Sequence, residues 1–312
     1  MAGPSPIVSS SIRATLDTQY MKFLIARFAR IYPLHVAALM GVIAIECARS
    51  YLIIVHGVPS ERGPFPDLPG LASQFLMLQG IGPFGTHSWN DPAWSISTEF
   101  LAYLLFPWLV RVTLRWPSYA GCVAAAALVI LYGGVVALPE FYFDPLRCLA
   151  EFCLGIATYG LFVADSLPFL AGDVAMVSIW AFVICSLHFG ASPIWSVLAF
   201  PLLVLVCARP LGRFSSVLAF EPLRFLGTIS FSIYLTQTFV LTAIGFALRF
   251  FPRIASPDTT STFVVQIAMV IGFSVMTYYW IERPARQWVR TFLELRLLPR
   301  STEQARKGAS RA

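Results

Sequence analysis

Four charged residues lie inside long apolar segments of this chain and are the first candidates for chemistry: Glu46, Glu99, Arg147 and Glu151. A charge at the centre of a bilayer costs about 2.5–3.5 kcal/mol on insertion scales, so each residue needs a partner or a wet cavity. Arg147 and Glu151 are spaced i, i+4 and can pair on one helix face. The i, i+3 spacing of Glu46 and Arg49 predicts a structural ion pair.

Glu99 has no local partner in the sequence and follows a hydroxyl-rich run, Trp94–Thr98. We expect Glu99, Arg147 and Glu151 to line one cavity in the outer half of a membrane, because ionisable residues within spans usually face an interior or a cavity. The alternative is that Arg147 and Glu151 only neutralise each other so that their helix can insert.

A pair of arginines, Arg27 and Arg30, lies three residues apart at the start of an apolar segment. Their guanidinium groups share a helix face, and such forks suit phosphate. On spacing alone, a basic flank that contacts lipid headgroups explains the pair better. The four histidines show no metal-ligand spacing and the six cysteines form no CxxC pair, so no metal site is expected.

The elements that must position these residues are apolar helices. The chain is 57% hydrophobic and only 12% charged, about half the charged share of a soluble domain. Lipid requires internally paired backbones, so the fold class predicted is an all-α integral membrane protein. Apolar segments of span length predict about eight transmembrane helices, at 32–54, 93–110, 118–138, 145–164, 173–190, 193–208, 223–249 and 262–281. The short block Leu71–Leu78 predicts a re-entrant or interfacial segment.

The basic residues predict the orientation. Most of the 22 lysines and arginines fall in segments that share one side if the N-terminus is cytoplasmic. We therefore expect a multi-pass protein of the cytoplasmic (inner) membrane with both termini in the cytoplasm. Residues 1–20 are predicted to be a poorly ordered polar segment, 21–290 the membrane domain, and 291–312 a basic cytoplasmic tail. An amphipathic helix is expected after Glu282 and a disordered tail at Ser301–Ala312.

Five stretches, in order, resemble motifs of the acyltransferase 3 family of integral membrane acyltransferases. They are RFARIYPLH (27–35), WNDPAWSISTEFLAYLLFP (89–107), LRCLAEFCLG (146–155), LGTISFSIYL (226–235) and YWIERPAR (279–286). The resemblance implies a membrane O-acyltransferase that moves an acyl group, commonly acetyl, from acyl-CoA to a hydroxyl of a carbohydrate or glycosylated acceptor. It implies acyl-CoA (acetyl-CoA) as donor substrate and no tightly bound cofactor. Membrane lipids and the acceptor are the expected partners, and nucleic acid is not.

The resemblance also assigns residues. It implies that Arg27 and Arg30 bind the phosphates of the donor. The expected acceptor-side residues are Trp94, Ser95, Ser97, Arg147 and Glu151. Glu99 is the candidate catalytic residue.

The chain departs from the family pattern at its start. Family members have about ten spans, and their first helix carries the histidine expected to act as general base. No histidine here matches that position, and Gln237 stands where the family often has histidine. We therefore expect an N-terminally truncated acyltransferase. The alternatives are a catalytically inactive membrane scaffold or remnant, and a transporter of a sugar or acylated substrate.

Overall fold

The structure, a computed structural model, describes residues 6–57, 68–84, 89–135, 138–167, 172–208, 219–250 and 260–297, together with 170 and 217. Within these ranges the regular structure is helical throughout. The α-helices are α1 (Pro6–His56), α2 (Leu68–Phe75), α3 (Trp94–Arg115), α4 (Pro117–Tyr132), α5 (Glu140–Val163), α6 (Asp173–His188), α7 (Pro193–Cys207), α8 (Glu221–Phe250), α9 (Thr260–Thr277) and α10 (Arg283–Leu297). The all-α prediction is confirmed.

The count of eight spans is not confirmed. Five helical stretches are long and apolar enough to cross a membrane: Thr18–Val55, Asp91–Arg115, Tyr142–Val163, Glu221–Ala247 and Thr260–Leu297. The other three predicted spans are helical but shorter, since α4 and α6 have 16 residues each and α7 has 15. At 1.5 Å per residue they reach about 24 Å, which is less than the roughly 30 Å of a hydrocarbon core.

Both ends of the chain are helical as far as the structure describes them. The first helix begins at Pro6, and the poor order expected for residues 1–20 stays a prediction. At the other end, α9 continues into α10 through a π-helical turn, Tyr278–Glu282. The helix expected after Glu282 is therefore present, as a continuation of the apolar helix before it. The predicted tail, Ser301–Ala312, lies outside the described residues, and the domain bounds at 21–290 and 291–312 stay predictions.

The helices form two compact units. Unit 1 comprises Met1–Phe75, Ser88–Ala93 and Phe231–Ala312, and unit 2 comprises Leu76–His87 and Trp94–Ser230. In unit 1, α1 packs along α10 and the π-helical turn. In unit 2, α5 packs against α3, α4 and α7, and α6 packs against α7.

Small residues bring α4 and α5 together in unit 2. A Cβ atom added to Gly160 on α5 would lie 2.9 Å from the Cβ of Pro117, the first residue of α4. Proline is tolerated there because the first turn of a helix has no internal acceptor for its missing N–H group. Close approach of helix backbones through small residues is the usual basis of helix packing in lipid. The contact fixes α5, the helix that carries Arg147 and Glu151.

A short helix and a long one are joined by side chains in unit 1. The short α2 matches the segment predicted near Leu71, although its depth in a membrane stays a prediction. The Tyr32 hydroxyl of α1 donates to the carbonyl of Phe75 at 3.3 Å, and His35 Nε2 lies 2.8 Å from the carbonyl of Gln74. The last carbonyls of a helix lack partners within it, so α1 supplies donors for the end of α2.

Buried hydroxyl and carboxyl groups connect α8 to α9 and the π-helical turn. The Ser232 hydroxyl donates to Glu282 Oε2 at 2.6 Å, and both side chains are buried. One turn further along α8, the Thr236 and Ser274 hydroxyl oxygens lie 3.1 Å apart. Glu282 is thus satisfied inside unit 1 rather than at a water-exposed boundary.

Removing the hydroxyl at position 232 should destabilise unit 1. We expect Ser232→Ala to lower the free energy of unfolding by about 1–3 kcal/mol, because the buried Glu282 carboxyl loses a donor. Thermal unfolding of the purified chain in detergent measures the change. Ser230→Ala is the matched control, since this exposed hydroxyl bonds the carbonyl of Gly227 in its own helix. Equal melting temperatures for the two variants would contradict the prediction.

Candidate functional site

A polar cluster surrounds Arg147 in the first half of α5. Its Nη1 atom lies 3.8 Å from Asp144 Oδ1, and its Nε atom lies 3.5 Å from Glu151 Oε1. The ion pair that the i, i+4 spacing predicts is therefore confirmed, and a second carboxylate is added at i−3. The Nε atom is buried and has no hydrogen-bond acceptor among the described residues. One guanidinium thus serves two carboxylates at ion-pair distance and keeps an unused N–H donor.

Aromatic rings complete the surroundings of the same guanidinium. Arg147 Cζ lies 4.8 Å from the ring centroid of Trp94 and 5.8 Å from that of Phe143. The Tyr132 side chain at the end of α4 lies close enough to Arg147 to interact with it electrostatically. Cations over aromatic faces are attracted by the ring quadrupole, more strongly where water is excluded. The structure therefore brings together Trp94, Arg147 and Glu151, three of the predicted site residues.

Glu99 does have a local partner, which corrects the sequence expectation. The Tyr103 hydroxyl, one turn later on α3, donates to Glu99 Oε1. The neighbouring Thr98 side chain lies near the thiol of Cys148 on α5. Both Glu99 and Glu151 lie close enough to that thiol to interact with it electrostatically. The carboxylate of Glu99 is therefore held near the Arg147 cluster by the packing of α3 on α5.

The two predicted serines differ in their surroundings. Ser97 is fully buried, and its hydroxyl accepts from the Gly80 N–H and donates to the carbonyl of Trp94, each at 2.8 Å. A Cβ atom on Gly80 would lie 2.4 Å from that same carbonyl oxygen, so only glycine fits this approach. Ser97 therefore positions the start of α3. Ser95 is half-buried, and its carbonyl accepts from the Thr98 hydroxyl at 2.9 Å. A role of either serine in binding stays a prediction.

A cleft of about 660 Å³ opens beside the cluster in unit 2. It is lined by Tyr132 of α4, by one face of α5 from Arg147 to Phe162, by α7 from Val197 onward, and by Ala208 just after α7. Arg147 and Glu151 lie on its wall as expected, whereas Glu99 is absent from the lining. The expectation of one cavity shared by all three charges is thus met for two of them.

The arginine pair lies in unit 1. Arg27 is half-buried with its Cζ 5.1 Å from the ring centroid of Phe23, and Arg30 is exposed. The expected structural pair on the same helix is confirmed, with Arg49 Nε 2.7 Å from Glu46 Oε2. Glu46 is therefore neutralised locally, whereas a ligand role for Arg27 and Arg30 is untested by this geometry.

Comparison with known proteins decides the family. The model of the family described as an acyltransferase domain, Acyl_transf_3, matches residues 8–279 of the chain. The chain belongs to the acyltransferase 3 family. The apolar helices and the family together indicate a multi-pass membrane protein.

One curated protein is similar to part of this chain. Acyltransferase MdmB of Streptomyces mycarofaciens is 35% identical over 113 residues. That alignment covers 33% of this chain and 27% of the MdmB sequence, so the chain is matched to little more than a quarter of that protein. No solved structure matches this acyltransferase 3 chain.

Three residues of this acyltransferase 3 chain were missed as partners by the sequence analysis. Asp144 stands at i−3 from Arg147, a spacing that could have indicated it. His35 is fully buried and, facing a carbonyl, must donate from Nε2, which leaves Nδ1 as an acceptor without a partner among the described residues. Glu282 enters the sequence analysis only as the residue before an expected amphipathic helix, and no local signal indicates its bond to Ser232, 50 residues earlier.

Loss of the guanidinium should destabilise the cluster. We expect Arg147→Gln to lower the free energy of unfolding by about 1–3 kcal/mol, since Asp144 and Glu151 lose their cation. The double variant Arg147→Gln, Glu151→Gln should recover part of the loss because one carboxylate is removed as well. Thermal unfolding in detergent measures both, with the exposed Arg111→Gln on α3 as control. A double variant less stable than the single one would contradict this account.

Proposed function

We propose that this chain is an O-acyltransferase that moves an acyl group, with acetyl as the leading candidate, from acyl-CoA to a hydroxyl of a carbohydrate or glycosylated acceptor. The observation that carries the proposal is the family match over residues 8–279, which includes both the arginine pair and the Arg147 cluster. The chemistry of the arginine pair supports donor binding, and that of the Arg147 cluster supports acceptor binding.

The acceptor half is supported by the Arg147 cluster. Carboxylates accept hydrogen bonds from hydroxyl groups and a guanidinium donates to hydroxyl oxygens. Hydrogen-bond donors and acceptors are both present here, because Arg147 has Asp144 about one turn before it and Glu151 about one turn after it on α5. The adjoining cleft is large enough for a small-molecule ligand, since such sites measure about 300–1,000 Å³. A hydroxylated acceptor fits this combination.

The donor half is supported by the arginine pair. Two guanidinium groups on one helix turn can bind phosphate oxygens through paired N–H donors. Arg30 is exposed and Arg27 half-buried, so both can reach a ligand at the surface of α1. We assign them to the phosphates of coenzyme A.

The reaction exchanges one acyl bond for another. The acceptor hydroxyl oxygen attacks the thioester carbonyl, the acyl–oxygen bond forms and the acyl–sulfur bond breaks. The hydroxyl proton must be taken up during attack and returned to the departing thiolate of coenzyme A. A carboxylate can hold that proton transiently, and we assign this step to Glu99, whose hydrogen-bonding partner Tyr103 fixes its orientation.

The proposed topology places all eight apolar helical segments across the cytoplasmic membrane, with both termini in the cytoplasm. The five long segments cross directly. The three shorter ones, α4, α6 and α7, cross where the bilayer thins or where polar flanks extend to the interface. An even number of crossings agrees with basic residues at both ends of the chain.

Donor binding should depend on the arginine pair. We expect the double variant Arg27→Ala, Arg30→Ala to weaken acetyl-CoA binding by about tenfold or more, because charge-assisted hydrogen bonds contribute about 1.5–3 kcal/mol each. Equilibrium binding of radiolabelled acetyl-CoA to the chain in nanodiscs measures it. Lys22→Ala, an exposed charge on the same helix, is the control and should keep wild-type affinity. Unchanged affinity in the double variant would return the pair to the role of a lipid-facing basic flank.

Acyl transfer should depend on the Glu99 carboxylate. We expect Glu99→Gln to lower kcat by about 100-fold or more, since general base catalysis contributes roughly 10²–10⁴-fold. Tyr103→Phe, which removes the donor but keeps the carboxylate, should cost less. Release of free coenzyme A in the presence of an acceptor glycan measures both. Wild-type kcat in Glu99→Gln would exclude this assignment.

A further inference from the structure

The cleft in unit 2 has one polar end and a long apolar remainder. Arg147 and Glu151 border the polar end, while Leu154, Phe162 and Phe200 are among the apolar residues that line the rest. Along α5 the lining runs from Arg147 to Phe162, about 22 Å at 1.5 Å per residue. A ligand that fills such a space must be amphiphilic, with a polar group at one end and an elongated apolar part.

The charges at the polar end restrict the polar group. One guanidinium stands between two carboxyl groups, with Asp144 Oδ1 at 3.8 Å and Glu151 Oε1 at 3.5 Å. Arg147 is the one cation among the described residues of the lining, and its charge is shared by these two carboxyl groups. A phosphate or carboxylate beside Glu151 would be repelled by the like charge. The Glu151 side chain is 37% exposed, so its oxygens can accept from a ligand. Hydroxyl groups suit this end because they both donate and accept.

We propose that the cleft binds an uncharged, hydroxyl-bearing amphiphile, with its hydroxyl groups at Arg147 and Glu151 and its apolar part between α5 and α7. Binding of the amphiphile does not depend on the proposed acyl transfer, whereas its role as the acceptor rests on that proposed function. It narrows the acceptor class to a glycoside or polyol joined to a sizeable apolar group. A free, fully polar saccharide would leave most of the cleft lining unused.

The walls of the cleft offer two positions for blocking it. A Cβ atom on Gly155 of α5 meets nothing within 4 Å, so the side chain of Gly155→Leu can start into the cleft from this wall. Gly272 on α9 has equally open space and is the matched control. On the opposite wall Val204 is 62% exposed, and Val204→Phe narrows the cleft from α7. Leu202, exposed on the same helix and outside the lining, is its control.

Photolabelling tests the proposal directly. The full chain in nanodiscs, without acyl-CoA, is irradiated with an alkyl glucoside that carries a diazirine in its chain, and labelled peptides are mapped by mass spectrometry. We expect labels on α5 and α7. We expect Gly155→Leu and Val204→Phe each to reduce them by about tenfold, the effect of losing burial of about two methylene groups. The control variants Gly272→Leu and Leu202→Phe should be labelled to the same extent as the wild type. The melting temperature of each of the four variants is measured, so that loss of labelling is not caused by unfolding.

Two further probes test the polar group. An alkyl phosphate and a phosphatidylcholine with the same diazirine chain should label α5 and α7 at least about tenfold less than the glucoside, a difference of about 1.4 kcal/mol in binding. Equal labelling by either probe would overturn the assignment of an uncharged hydroxylated ligand. Labelling that neither blocking variant reduces would overturn the site itself. Because no donor is present, labelling without acyl transfer would count against the proposed function alone.

Discussion

The guanidinium of Arg147 is the group on which the organisation of unit 2 depends. A charge on an apolar helix is tolerated only where neighbours replace its water. Here those neighbours come from three helices: Trp94 begins α3, Tyr132 ends α4, and Asp144 and Glu151 flank the arginine on α5. The need to satisfy one cation therefore fixes how three helix ends meet, and the polar end of the cleft lies where they do.

Local spacing made part of this site predictable. The pairs Arg147–Glu151 and Glu46–Arg49 follow from helical periodicity, because side chains three or four residues apart are neighbours. The partner of Glu99 stands at the same spacing, but a search for opposite charges does not find a tyrosine hydroxyl. Contacts between distant segments, such as Arg147 over Trp94, require the packing of α5 on α3, which no periodicity encodes.

The fold was predictable to a similar depth. Composition and the lengths of the apolar segments indicate helices in the right order, because lipid excludes other backbone arrangements. Hydropathy does not indicate where a helix ends. The helix α4 stops at Tyr132 although the apolar sequence continues, whereas the last helix continues past Glu282. The Glu282 carboxyl within that continuation accepts a hydrogen bond from Ser232, which lies far away in the chain. Non-local hydrogen bonds of this kind leave no trace in residue spacing.

The π-helical turn at Tyr278–Glu282 has a geometric effect on everything that follows it. A π turn holds one residue more than an α turn, and each residue of an α-helix advances about 100° around the axis. The basic residues of α10 are therefore rotated by about that angle from the positions a regular helix would give them. A single-residue deletion within the turn would restore a regular helix and reset this phase. It would also turn the carboxyl of Glu282 away from α8. The π turn therefore determines both the rotation of the C-terminal helix and the burial of Glu282.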